Sequence, residues 1–207
     1  MKFNLQNDSR IGEAVNCFLT LVMLNIVWFI CCIPVVTAGA STTALHSGLR
    51  KYANKEDGAL KEFFSSFRAN FKISTAVWLA GFVMFLCLVF CFRIVSGTDG
   101  LIKKAGIAFF SLPAMVEASV ISYVFPLISR FKLKFIDALA DSLMLAIAYY
   151  PKTLLIIFLN AVPFLIFLFF PDALVCLVFI WIPIGVSVTA LAIDGILEPV
   201  FDNLIRP

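Results

Sequence analysis

Residues 24–52 read LNIVWFICCIPVVTAGASTTALHSGLRKY, and this run sets the architecture. Its opening, up to Ile33, completes an apolar segment that begins near Val15 and is long enough to cross a bilayer, which takes about 20 such residues. Pro34 then interrupts the segment, because the residue before a proline is pushed out of helical geometry. From Thr37 to Gly48 the chain turns to Gly, Ala, Ser and Thr, a composition that lets helix backbones approach closely inside membranes. It closes on Arg50 and Lys51. The run predicts a span, a break, and a short buried half-helix leading to a basic loop.

The composition agrees with this reading. Of 207 residues, 62% are hydrophobic and only 14% charged, with a mean hydropathy of +1.02. A soluble domain is about half apolar and a quarter charged, so the chain is expected to be one integral membrane domain over 1–207, with room for about four to six spans. The N-terminal apolar run outlasts the roughly 7–15-residue core of a signal peptide and is read as a retained span. The formal charge of +3 is accounted for by topology, and no nucleic-acid partner is expected. The six cysteines lie in apolar runs without a CxxC pair, which fits buried thiols rather than metal ligands or disulfides.

Outward from the organising run, Leu60, Phe63, Phe64, Phe67 and Phe71 recur at helical spacing, with Lys61, Glu62, Ser65, Arg68 and Lys72 opposite. This predicts an amphipathic helix lying in the membrane interface or docking on a partner. Ile73–Phe92 is the second span. Ala105–Ile128 is the third, with Pro113 and Pro126 accommodated as kinks. A second amphipathic pattern sets Ile136, Leu139, Ala140 and Leu143 against Lys134, Asp137, Asp141 and Ser142, and ends at Tyr149-Tyr150-Pro151. Thr153–Phe170 and Ala173–Ile193 are the fourth and fifth spans, joined at Pro171-Asp172. The expected fold class is an all-α membrane protein of about five transmembrane helices, with a proline-broken first helix and two cytoplasmic amphipathic helices. The order of arginine-ended helix, polar turn, amphipathic helix and span occurs twice, which suggests a degenerate internal repeat.

Five spans place every basic residue from Arg50 to Lys72 and from Arg130 to Lys152, with Arg206, on one side. The other side receives only Lys2, Arg10, Arg93, Lys103 and Lys104. By the positive-inside rule the first side is cytoplasmic, which puts the N-terminus outside and the C-terminus inside a bacterial plasma membrane. A full crossing by Thr37–Gly48 would move the N-terminus inside.

Three polar residues stand out as a candidate intramembrane site. Glu117 lies near the middle of the third span, where an ionised carboxylate is costly unless paired or hydrated; it reads either as a proton, ion or solute contact or as a polar tie between helices. His46 is the only histidine, either a pH-sensitive group or a helix-end cap. Asn25 suits an interhelical hydrogen bond. Phe63, Phe64, Phe67, Phe71 and Arg68 form the candidate docking or interfacial face. No phosphate loop, HExxH or nucleophile–base arrangement is present, so no catalytic residue, cofactor or metal is expected and the chain reads as a non-enzyme.

The run 24–52, the Phe-rich FFSSFRANFK of 63–72 and YVFPLISRF of 123–131 resemble the YesL family of small bacterial membrane proteins. The similarity extends from the first span to the closing EPVFDN of 198–203. The resemblance implies a link with carbohydrate utilisation and with oligosaccharide importers of the ABC type, and it supplies no catalytic residues. The function expected is a polytopic plasma-membrane accessory or interaction protein beside such an importer, with membrane lipid and the permease and ATPase subunits as partners. The alternative is a small-solute or proton-coupled transporter acting as an oligomer.

Overall fold

The computed structural model describes residues 5–169 and 184–205, and these form seven α-helices and one short 3-10 turn. They are α1 (Leu5–Cys32), α2 (Ala38–Ala53), α3 (Ala59–Ser96), α4 (Gly100–Arg130), α5 (Phe135–Ala148), α6 (Tyr150–Phe169) and α7 (Val186–Ile205). Among the described residues, α1, α3 and α4 are each long and apolar enough to cross a membrane, and α5 with α6 makes a fourth candidate if that bent pair is one span. The Pro171-Asp172 turn and most of the fifth expected span lie outside the described residues.

The break at Pro34 is present. Its backbone is extended (φ −74°, ψ 106°), and the turn Val35–Thr37 leads into α2. Helix α2 doubles back along α1: Trp28 Nε1 donates to Thr42 Oγ1 (3.2 Å), Ser41 Oγ donates to the Trp28 carbonyl (2.9 Å), and Leu21 and Leu24 share a core with Leu45 and Leu49. The expectation of a buried small-residue helix holds, since ten of its sixteen residues are buried. Close approach is the reason for the small side chains. A Cβ on Gly39 would overlap the Ser74 carbonyl and stand 2.5 Å from Trp78 Cβ. Hydroxyls then pair across the α2–α3 seam, Thr43 with Ser74 (2.8 Å) and Ser47 with Ser66 (2.7 Å), so these four groups are not left facing hydrocarbon unpaired.

Helix α3 differs from the expectation of two elements. The predicted interfacial helix and the second span are one continuous helix of 38 residues, about 57 Å at 1.5 Å per residue. No proline or glycine lies between Gly58 and Gly81 to interrupt it. Its buried positions include Ala59, Phe63, Ser66, Ser74 and Val77, so the face that packs carries serines beside one phenylalanine, while Phe64 is 47% exposed.

The second amphipathic pattern falls on α5, whose packed face includes only Ser142 of the residues read as polar. In α5 the buried residues are Ala138, Ser142, Leu145 and Ala146, whereas Ile136 is 74% exposed. Helices α5 and α6 meet at 106°. Pro151 sits in the first turn of α6, where its missing N–H costs nothing. The two halves of the proposed repeat therefore differ in form, one a continuous helix and the other sharply bent.

Candidate functional site

The helix ends bring charged groups together where no single segment of sequence does. Arg50 lies in the last turn of α2 and Arg130 in the last turn of α4, positions where a cation is favoured by the partial negative charge of the helix terminus. His46 stands one turn before Arg50 on the same face of α2. Helix α7 presents Asp194, Glu198 and Asp202 at successive intervals of four, a single stripe. These elements enclose a pocket of about 260 Å³, lined among others by His46, Arg50, Ser129, Arg130, Asp194 and Glu198.

At its floor His46 Nδ1 lies 2.8 Å from Asp194 Oδ1, with the imidazole only 6% exposed and the carboxylate 20%. This contact joins residues 148 positions apart and fastens α2 to α7. Asp194 Oδ2 is buried and has no hydrogen-bond partner among the described residues. Arg50 Nη2 donates to the Ser129 carbonyl at 3.0 Å. Burial presses the Arg50 guanidinium below the usual arginine range; the neighbouring positive charge of Arg130 adds to this, while Asp194 and Glu62 oppose it. A guanidinium remains charged at neutral pH even so. Arg130 Nη2 reaches Asp202 Oδ1 at 3.3 Å, and its guanidinium lies 5.5 Å from the centre of the Phe201 ring. Glu198 is exposed and makes no ion pair among the described residues.

The residues singled out from sequence do not converge. His46 is in the cup. Asn25 is fully buried, and its Oδ1 accepts from the Ser187 N–H (2.9 Å) and hydroxyl (3.0 Å), tying α1 to the start of α7. That anchor is seven residues before Asp194, about 10 Å along the helix. Glu117 is twelve residues from Ser129 on α4, about 18 Å away. Its Oε1 is buried without a hydrogen-bond partner among the described residues, beside Gly81 of α3.

The aromatic face is divided. Phe63 is fully buried among Leu24, Leu45 and Leu49, and Phe67 stacks on it with ring centres 6.3 Å apart. Phe64, Phe71 and Arg68 are exposed.

Sequence reasoning missed Asp194, Glu198 and the pairing of Arg130. The signal available was periodic: His46 and Arg50 four apart, and three carboxylates four apart on α7. Among the described residues no three of His, Cys, Asp and Glu converge as metal ligands do. What the cup offers is charged hydrogen bonding, with two guanidiniums and two carboxylates around a small volume.

Residues 21–92 match the model of a family described as protein of unknown function, DUF624. That stretch runs from within α1 through most of α3, and so contains His46 and Arg50 but not Arg130 or Asp194. No curated protein and no solved structure matches the chain.

Proposed function

We propose that this chain is a polytopic plasma-membrane accessory protein that holds a small solute in the cup at its cytoplasmic end and packs beside an oligosaccharide importer of the ABC type. The observation that carries the binding part of this reading is the cup itself. Three helices contribute charged side chains to one concave site, which is the usual form of a small-molecule site. The importer part is supported by the resemblance to the YesL proteins, which fall within the family matched over residues 21–92.

The orientation follows from the basic residues. The end bearing Arg50, Lys51, Arg130, Lys132 and Lys134 is the one the positive-inside rule assigns to the cytoplasm. Because α2 returns along α1, the start of α1 lies toward that same end. This favours an internal N-terminus over the external one that five spans require. The end of α7, with Asp202 against Arg130, lies there too.

The test is a native pull-down of the tagged protein in mild detergent from cells grown on a complex plant polysaccharide, with crosslinking and mass spectrometry. Stoichiometric recovery of permease and ATPase subunits is expected. Recovery of the protein alone, with crosslinker present, would contradict the accessory role.

A further inference from the structure

We infer that the cup is a binding site for a polyol phosphate, with the phosphate on the guanidiniums of Arg50 and Arg130 and the hydroxyls on the carboxylates of Asp194 and Glu198. This rests on reading the pocket as the ligand site of the accessory protein, and it names the class of ligand.

The cup holds unfilled hydrogen-bonding capacity. A guanidinium carries five N–H donors in a fixed fork that matches phosphate oxygens. Among the described residues, Arg50 donates one bond, to a neutral carbonyl, and lies within 4 Å of no carboxylate. Among the same residues Arg130 has a single carboxylate contact, at 3.3 Å, to an Asp202 side chain that is 49% exposed. Two cations at one mouth, neither saturated, repel each other; Asp194 and Glu62 offset this for Arg50, and an anion held between the guanidiniums would relieve it directly. The carboxylates then fix the rest of the ligand. Both line the pocket; among the described residues Asp194 Oδ2 is buried without a donor, and Glu198 makes no ion pair. Both are acceptors only when ionised, so they call for hydroxyl or amino hydrogens and reject a second anionic group. A bare phosphate satisfies the arginines and leaves the carboxylates unpartnered, whereas a phosphate bearing a short polyol satisfies both.

The site's place at helix ends allows the phosphate to come from a free solute or from the headgroup of phosphatidylglycerol, which share this chemistry. The test uses the full-length protein in nanodiscs of phosphatidylcholine or phosphatidylglycerol, titrated with glycerol 3-phosphate, inorganic phosphate and glycerol. Saturable binding of glycerol 3-phosphate is expected in phosphatidylcholine, tighter than inorganic phosphate, with glycerol not bound. Arg50→Gln is expected to weaken both phosphates by at least about tenfold, the effect of losing one charge-assisted hydrogen bond. Asp194→Asn is expected to weaken glycerol 3-phosphate and spare inorganic phosphate, a split that a merely structural residue would not produce. If phosphatidylglycerol blocks the soluble ligand, the headgroup is the source; if it does not, the source is a free solute.

Should Arg50→Gln fail to fold, Arg50→Lys, which keeps the charge and loses the fork, is expected to weaken the same two probes. Absence of saturable phosphate binding, or unchanged binding in a folded Arg50 variant, would overturn the inference. Importer recovery without phosphate binding would remove the ligand class alone. Phosphate binding by a protein that purifies by itself would remove the accessory role alone.

Discussion

His46 occupies one oxygen of Asp194 and leaves the other buried with no partner among the described residues, so a single side chain both closes the bundle and shapes the cup. Removing it strands a largely buried carboxylate, and the cost is that of an unsatisfied polar group, about 1–3 kcal/mol. The Asp194 side chain keeps 20% exposure, which favours the lower part of that range. His46→Ala is therefore expected to lower the melting temperature of the detergent-solubilised protein. Asp194→Ala in the same chain should add less than its own separate effect, because the two residues share one contact. Strict additivity of the two losses would show that the contact does not stabilise the fold. His46 was legible in the sequence as an unusual residue, but its partner was not. A pairing across 148 residues leaves no trace in local spacing, and only the four-residue periodicity of Asp194, Glu198 and Asp202 hinted at a functional face.

At the scale of elements, the break at Pro34 and the buried nature of α2 were legible because proline geometry and small-residue packing are local properties. The residues with which α3 and α5 pack on their neighbours were not. In water the large apolar residues mark the inward face, because burial of hydrocarbon drives packing. Next to lipid a phenylalanine or isoleucine turned outward loses nothing, while a hydroxyl needs a partner and is better placed between helices. Hence Ser66, Ser74 and Ser142 are buried while Phe64 and Ile136 point away. Substitution provides the check. Ser74→Leu raises apolarity but forces bulk against Thr43 and Gly39, and is expected to destabilise by about 1–3 kcal/mol. Ile136→Ala, at a site 74% exposed, should change stability by less than about 0.5 kcal/mol. Thermal denaturation followed by size-exclusion chromatography would compare them; a larger loss for Ile136→Ala would refute the assignment of faces.

For the whole molecule, hydropathy alone made the helical membrane class legible, and α1, α3 and α4 lie where apolar runs were read. The path of the chain was less legible, because span counting treats each crossing as independent and α2 is too short and polar to be counted. Its return along α1 is the basis for the internal N-terminus proposed above. The central claim is that the ends of α2, α4 and α7 form one cup on the cytoplasmic side. The most direct measurement places single cysteines at Asn54 and Gly195, two pocket-lining residues that are exposed, in a background with the six native cysteines replaced. Each is then probed with a membrane-impermeant maleimide in intact spheroplasts and in inside-out vesicles. The account predicts labelling of both positions in inside-out vesicles only, with glycerol 3-phosphate slowing both. Labelling of either position in intact spheroplasts, or labelling of the two from opposite sides, would contradict it.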